Sequence, residues 1–179
     1  MADGGPSRRN LTSAGIALDV EIVRREPGFA RAKVTDALLR RAAHAALRAA
    51  RRSGNSCRVT LVLTGEAEMR DLNRVWRGKD APTNVLSFPA DAKHDRGFLG
   101  DIVLAYETAA REANERDIPL ADHVSHLVVH GMLHLLGFDH EDDADAERME
   151  AIERIALATI GIADPYEEAD APRHAEASS

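Results

Sequence analysis

The sequence predicts a single α+β domain, in which a small mixed sheet of about four strands packs with five to six helices. Three observations predict this class: short stretches of alternating apolar residues, longer stretches with helical periodicity, and an order in which the two do not strictly alternate. The chain has 179 residues, 44% of them hydrophobic, which is enough for one core and gives no reason for a second. We predict one domain over residues 15–163, between mobile polar tails at residues 1–14 and 164–179.

The first half of the chain contains two predicted strands and two predicted helices. Apolar residues alternate in GIALDVEIV (15–23) and in CRVTLVLTG (57–65), as they do in half-buried strands. Residues 33–52 have an apolar stripe and, opposite it, a face with five arginines, which is either an ordinary solvated face or a phosphate-binding face. Residues 65–77 are helical in pattern and precede a loop, GKDAPTNV (78–85).

The second half continues with two short strands, NVLSFP (84–89) and LGDIVLA (99–105). Three helices are then predicted, at residues 104–115, 120–136 and 141–162. Gly137 ends the middle one, in the position that favours a left-handed backbone. The last helix begins with acidic residues, as the helix dipole prefers. Its predicted core face comprises Met149, Ile152, Ile155, Ala156 and Ile160.

Composition restricts the function classes. The net charge is −7, but residues 1–100 carry 18 Lys and Arg against 11 Asp and Glu, whereas residues 101–179 carry 5 against 19. This asymmetry indicates either a basic binding surface beside an acidic body or two solvated faces. Cys57 is the only cysteine, which excludes disulfides and Cys-rich zinc sites and favours a reducing compartment. No apolar run is long enough to cross a membrane and no secretory signal is evident, so we expect a cytoplasmic protein without a membrane partner.

Three histidines lie in the stretch HGMLHLLGFDH, residues 130–140, at the end of a core helix. His130 and His134 are four residues apart, so their rings project from one helix face and can reach one ion. Gly137 then breaks the helix, and the chain can fold back so that His140 approaches the same ion. Three histidines with an open fourth position are typical of catalytic zinc, although nickel, copper or iron also suit them.

The spacing is also that of the metzincin zinc proteases, with one substitution. Their glutamate after the first histidine is the general base for peptide attack, and here it is Gly131. This argues against a peptidase. His123 and His126 lie on the same helical stripe as His130 and His134. One ion cannot bind both His126 and His134, however, because they are eight residues, or about 12 Å, apart along the helix. We therefore expect His123 and His126 to support the ligands or to be structural.

Three segments resemble those of one family: LNRVWRGKDAPTNVLSFP (72–89), LGDIVLA (99–105) and HLVVHGMLHLLGFDHEDD (126–143). Met149, Glu150 and the sequence DPY at 164–166 also fit. With these segments the chain resembles the YbeY proteins, single-domain bacterial metal-dependent endoribonucleases. The similarity spans roughly residues 16–166 and is loose between 16 and 65.

The resemblance implies one zinc ion per chain, held by His130, His134 and His140, and an arginine, Arg77, that helps engage RNA. It further implies a role in maturation of ribosomal RNA, at the 3′ end of the small-subunit RNA, and in ribosome quality control. The partners would be ribosomal RNA, the small ribosomal subunit and ribosome-associated proteins. Trp76 and Phe138 stand where tyrosine is common in the family.

The chemistry follows from the ligand set. Three neutral imidazoles leave zinc its double charge, and a water at the open position can have its pKa lowered to about 7, which replaces a carboxylate base. We predict Arg77 and His130 as catalytic residues, with Arg77 and Lys79 binding the phosphate backbone. The alternative for both cations is a loop salt bridge to Asp80 or Asp71. The nucleophile is either water or the RNA's own 2′-hydroxyl.

The chain has few aromatic residues and no recognisable RNA-binding module. We therefore expect modest, salt-sensitive binding of single-stranded RNA.

Two other functions fit the same residues. One is a metallohydrolase of another substrate, which takes its base from Asp101 or Asp139. The other is a ribosome-assembly factor without catalysis, whose metal site is closed by a fourth protein ligand, for which Cys57 is the candidate. Asp139 has two further interpretations, since it could orient a ligand ring or cap the last helix.

Overall fold

Four strands and six helices make up the computed structural model, which describes residues 16–52, 56–91, 97–139 and 142–167. In chain order they are β1 (Leu18–Arg24), α1 (Gly28–Arg31), α2 (Asp36–Ala49), β2 (Cys57–Thr64), α3 (Glu66–Arg77), β3 (Val85–Pro89), β4 (Phe98–Ala105), α4 (Tyr106–Glu115), α5 (Leu120–Leu135) and α6 (Asp143–Thr159). The strand order is β1-β2-β4-β3. The first three strands are parallel, and β3 pairs antiparallel with β4. The predicted α+β domain with a four-stranded mixed sheet is confirmed.

The sheet is covered by helices on both faces, unequally. Helices α2, α4 and α5 lie on one face, and α6 packs against α2 and α5 to complete the main core, whereas α3 packs on the other face. The alternating residues Val59, Leu61 and Leu63 of β2 are buried in the main core, and Val62 faces α3. A strand buried on both faces reads as a nearly continuous apolar run, as β2 does.

Helix α2 packs on the sheet through the predicted apolar stripe. Leu39, Ala43 and Ala46 are fully buried. Two arginines of the opposite face, both exposed, hydrogen-bond to backbone carbonyls: Arg40 donates to the carbonyl of Val20, and Arg41 donates to that of Ile160 at 2.7 Å. These two side chains therefore attach the helix to its neighbours, which favours a structural role for them over phosphate binding.

Helix α5 is the central helix of the domain. It contacts α2, α4 and α6 as well as β3 and β4, and ten of its sixteen residues are buried. A helix surrounded on most sides is apolar around most of its circumference. Its C-terminal half, which carries His130 and His134, lies against the edge strand β3.

The core face of α6 differs from the predicted one. Met149, Ala156 and Ile160 are buried as predicted, but Ile155 is 56% exposed and Glu153 is only 1% exposed. The N-cap of α6 is Asp142, whose side chain accepts from the Asp145 amide at 2.8 Å. Asp139 therefore does not cap this helix.

The packed chain extends past the predicted domain end at residue 163. Asp164 pairs with Arg154 at 3.0 Å, and the carbonyl of Pro165 accepts from Arg116 at 2.8 Å. The predicted N-terminal tail, residues 1–14, and the part of the predicted C-terminal tail (164–179) from residue 168 onward lie outside the described residues. No helix in the described part of the chain is long and apolar enough to cross a membrane.

Candidate metal centre

A cleft of about 540 Å³ lies between the end of α3, the edge strand β3 and the C-terminal half of α5. Its lining includes Arg77, Ser87, His130, His134 and Asp139. The structure therefore brings together two of the predicted metal ligands and the predicted RNA-binding arginine, which are more than fifty residues apart in sequence. Sites for small ligands have volumes of this order.

The two histidines face each other across the mouth of this cleft. Their Nε2 atoms are 3.1 Å apart, and the ring centroids are 4.6 Å apart with the planes nearly perpendicular. Because they are one helical turn apart on the rigid helix α5, the backbone fixes most of this geometry. The spacing-based expectation that both rings reach the same point agrees with this arrangement.

Hydrogen bonds to the other nitrogen of each ring indicate the tautomers. His134 Nδ1 lies 3.1 Å from the carbonyl oxygen of Phe138, which can only accept, so that nitrogen carries the proton. His130 Nδ1 lies 2.7 Å from Oε1 of Glu153. In the neutral rings each Nε2 then directs a lone pair toward the space between them, as in metal-ligating histidines.

This donor set fits a zinc ion. Two nitrogen ligands of tetrahedral zinc lie about 3.3 Å apart when the bonds are about 2.0–2.1 Å, close to the observed 3.1 Å. The predicted third ligand, His140, lies outside the described residues. Within the described residues no group of three or more candidate ligand side chains comes together, so the pair His130 and His134 is the part of the predicted site that the structure describes.

The turn after α5 supplies one of the two orienting acceptors. Gly137 has φ +90°, and its amide donates to the carbonyl of His134 while the Phe138 amide donates to that of Leu133, both at 3.0 Å. This is the Schellman pattern of a helix C-terminus, which requires a left-handed residue. The turn places the Phe138 carbonyl against the ring of His134, so Gly137 both ends the helix, as predicted, and helps to orient that ring.

Glu153 supplies the other acceptor, and sequence reasoning missed it. Its buried carboxylate accepts from His130, from His126 Nε2 at 3.1 Å and from the Tyr166 hydroxyl. Burial raises the pKa of Glu153, but the hydrogen bonds from His126 and His130 outweigh it and lower the pKa to about 2. Glu153 is therefore ionised, which suits it to hold the Nδ1 proton of His130.

The remaining two histidines of α5 each hydrogen-bond to a carboxylate, and only His126 is thereby connected to a predicted ligand. His126 shares the Glu153 carboxylate with His130. His123 Nε2 lies 2.8 Å from Oε2 of Glu112, which also accepts from Asn84 at 2.8 Å. Burial lowers the pKa of His123, although the hydrogen bond to Glu112 opposes it.

The packing of α5 explains why position 131 carries no glutamate. A Cβ atom at Gly131 would lie 2.9 Å from Ile102 Cγ2 and 3.0 Å from Ser87 Oγ. Position 131 therefore faces the sheet at a very close approach, where a glutamate side chain would not fit unless Ile102 or Ser87 moved. The structure agrees with the sequence-based argument against a metzincin-type peptidase.

Arg77 is the last residue of α3 and lines the cleft with its side chain exposed. The two carboxylates of the alternative interpretation are paired with other arginines: Asp80 with Arg70 at 2.7 Å, and Asp71 with Arg74 at 3.0 Å. Arg77 makes no ion pair within the described residues, so its guanidinium is available to a phosphate. Lys79 is exposed but does not line the cleft.

The alternative functions, a metallohydrolase of another substrate and a non-catalytic assembly factor, depend on residues that lie in different parts of the fold. Asp139 lines the cleft, whereas Asp101 lines a groove on the opposite face of the sheet. Cys57 begins β2, is buried in the main core and does not line the cleft. Burial raises the pKa of its thiol. Neither Asp101 nor Cys57 is therefore placed to serve a metal at His130 and His134.

Comparison with known proteins identifies the family. The model of the family described as Endoribonuclease YbeY matches residues 29–161. The chain belongs to the YbeY family. A member from Parvibaculum lavamentivorans is 45% identical, over 92% of this chain and 95% of its own length. A member from Bradyrhizobium diazoefficiens is 44% identical, over 93% and 90%. Both carry the name Endoribonuclease YbeY.

A solved structure supports the fold independently. The solution structure of TM1509 from Thermotoga maritima aligns with a TM-score of 0.52 over 79% of this chain and 91% of that one. The sequence identity is 23%, so the likeness concerns the fold alone. The resemblance to the YbeY family that the three sequence segments indicated is thereby confirmed at the level of family and fold.

Proposed function

We propose that this protein is a zinc-dependent endoribonuclease that prefers single-stranded RNA. The observation that carries the proposal is the pair of Nε2 atoms of His130 and His134, oriented by Glu153 and by the Phe138 carbonyl, in the same cleft as Arg77. The shared name Endoribonuclease YbeY of the relatives supports the same reaction.

The shape of the cleft supports an RNA strand as the substrate. A cleft of about 540 Å³ has room for a nucleotide or two of a flexible strand, and unpaired RNA can present a single nucleotide to it. Arg77 at its rim has the planar fork of donors that suits the nonbridging oxygens of a phosphodiester. Lys79, two residues later, would contact the strand away from the scissile phosphate.

The chain's own residues have three tasks in this proposal. His130 and His134, with His140 as the proposed third ligand, would hold the ion, one per chain. When bound there, zinc would supply Lewis-acid charge at a phosphate oxygen and a water of lowered pKa. Glu153 and Phe138 keep the ligand rings in the correct tautomer. Arg77 neutralises the charge that develops on the phosphate as the bond to the leaving oxygen breaks.

We further propose maturation of the 3′ end of small-subunit ribosomal RNA, and ribosome quality control, as the biological role, with the cytoplasm as its location. The resemblance to the YbeY family supports this role. The basic first half of the chain supports a polyanionic partner. The small ribosomal subunit and ribosome-associated proteins are the proposed partners.

Cleavage of a labelled single-stranded fragment from the 3′ end of small-subunit ribosomal RNA tests the reaction. Zinc-loaded wild type should cut it, and cut the same fragment poorly when it is annealed to a complement. Arg77→Ala should lower kcat/KM by about 100-fold or more, the usual cost of removing a donor to the transition state. Arg74→Ala, an exposed arginine of α3 outside the cleft lining, is the matched control. Equal cleavage by wild type, Arg77→Ala and His134→Ala would mean that the activity belongs to a contaminant.

A further inference from the structure

A second depression lies on the opposite face of the sheet, beside α3. It has a volume of about 730 Å³ and we call it the aromatic groove. Strands supply its floor and α3 supplies one wall. Its apolar lining includes Val62, Leu72, Trp76, Phe88, Phe98 and Val103.

Aromatic side chains are concentrated in this groove. The chain has seven aromatic residues, four Phe, one Trp and two Tyr, and three of them line the groove. Trp76 is 68% exposed, and its ring meets that of Phe88 edge to face at 5.6 Å. The guanidinium of Arg58 lies 5.6 Å from the centre of the Phe98 ring. A tryptophan as exposed as Trp76 adds little buried area to the core, and an exposed aromatic surface is typical of a binding site.

The aromatic groove adjoins the cleft that holds His130 and His134, and the two meet at the edge strand β3. Side chains of the edge strand β3 alternate between the two: Ser87 lines the cleft, Phe88 lines the groove, and Pro89 lines both. On α3, Trp76 of the groove is followed directly by Arg77 of the cleft. A flexible strand that leaves the cleft past β3 therefore meets the groove next.

We propose that the aromatic groove binds unpaired bases of the RNA strand whose scissile phosphate lies in the cleft, with one base stacked on Trp76. This inference rests on the proposed function and names how its substrate is held. The chemistry of the lining favours bases over phosphates, since every base has an apolar face that stacks on an aromatic ring regardless of sequence.

The charged residues of the groove are compatible with bases. Arg25 and Glu68 line the groove and form an ion pair with each other, so neither charge is left to repel or attract the strand strongly. Asp101 is the other carboxylate of the lining, and a carboxylate accepts from the amino group of a cytosine. The groove thus supplies stacking, while Arg77 in the neighbouring cleft supplies contact with phosphate.

Trp76 is the only tryptophan, so fluorescence excited at a wavelength that tyrosine does not absorb comes from this side chain alone. Zinc-loaded protein is mixed with oligouridylates of two, four and eight nucleotides in a stopped-flow instrument, before cleavage proceeds. A strand of eight abasic ribose phosphates is the control for charge. We expect quenching by the octamer, weaker quenching by the dimer and none by the abasic strand. Equal quenching by the octamer and the abasic strand overturns the proposal.

Variants separate this proposal from the proposed function. Trp76→Ala should raise the Kd of a labelled octamer roughly 5- to 150-fold, the effect of losing one stacked base, and Trp76→Phe should restore most of the affinity. Val75→Ala is the matched control, since Val75 is 71% exposed, adjacent and outside the groove. If Trp76→Ala binds the octamer as wild type does while wild type still cleaves it, the groove proposal fails and the proposed function stands. If wild type neither binds nor cleaves RNA, both fail.

Discussion

Replacing Glu153 by glutamine is the substitution from which the structure predicts most. Oε1 of the carboxylate accepts from His130 at 2.7 Å, and Oε2 accepts from His126 at 3.1 Å and from the Tyr166 hydroxyl. Glutamine has the same shape but only one accepting oxygen. His126 and Tyr166 both donate on the Oε2 side, so we expect the amide oxygen to take that position. The amide nitrogen should then face His130 Nδ1.

Two N–H groups cannot face each other, so His130 would shift its proton to Nε2, the nitrogen that is proposed to bind the metal. Loss of such an orienting partner lowers metal affinity by about 10- to 100-fold, or about 1.4–2.7 kcal/mol. Excess zinc should then stabilise Glu153→Gln against unfolding by about that much less than it stabilises wild type. The variant should still fold, because glutamine fills the same space.

Competition with a chromogenic chelator measures the zinc affinity, and thermal unfolding with and without zinc measures the stabilisation. Glu147→Gln is the matched control, since it makes the same charge change at an exposed position of α6. Tyr166→Phe, which removes one donor to the carboxylate, should have a smaller effect. The reasoning is refuted if Glu153→Gln binds zinc as tightly as wild type in the assay in which His134→Ala loses binding.

Three further predictions concern stability. Gly131→Ala should lower the free energy of unfolding in urea by about 1 kcal/mol, because overpacking against the buried Ile102 outweighs the better helix propensity of alanine; a more stable variant would contradict this. Asp142→Ala removes the side-chain cap of α6 and should cost about 0.5–2 kcal/mol, whereas Asp142→Asn should cost little. The hydrogen bond from Thr108, together with that from Arg111, lowers the pKa of Glu66 below its usual 4.5. The stability that Glu66→Gln loses should therefore be largest above pH 4.5 and vanish as the pH falls through the lowered pKa, and a difference independent of pH would contradict the pairing.

The fold was largely predictable because periodicity reports directly on burial. The strands at 15–23 and 57–65 and the five longer helices match the observed elements within a few residues. The short helix α1, Gly28–Arg31, was not predicted, since four residues carry no periodic pattern. Pairing of β4 between β2 and β3 depends on packing rather than on any local signal.

The placement of His130, His134 and Arg77 at one cleft was predictable, but the groups that orient the two rings were not. Apolar periodicity treats a glutamate as exposed, so Ile155 was placed on the core face of α6 and Glu153 was not. The observed stripe includes Met149, Glu153, Ala156 and Ile160, which follows helical spacing better than the predicted set. Histidines on a core helix need buried acceptors, and that requirement was the available signal for Glu153.

Zinc titration of metal-stripped protein tests the central claim most directly, because it connects the histidine pair to RNA cleavage. The stripped wild type should not cut the single-stranded ribosomal RNA fragment, and cleavage should rise with added zinc and saturate at about one equivalent per chain. His134→Ala should stay inactive across the same titration while it remains folded by circular dichroism. Full cleavage by the stripped protein, or equal restoration in His134→Ala, would contradict a metal-dependent centre at these residues.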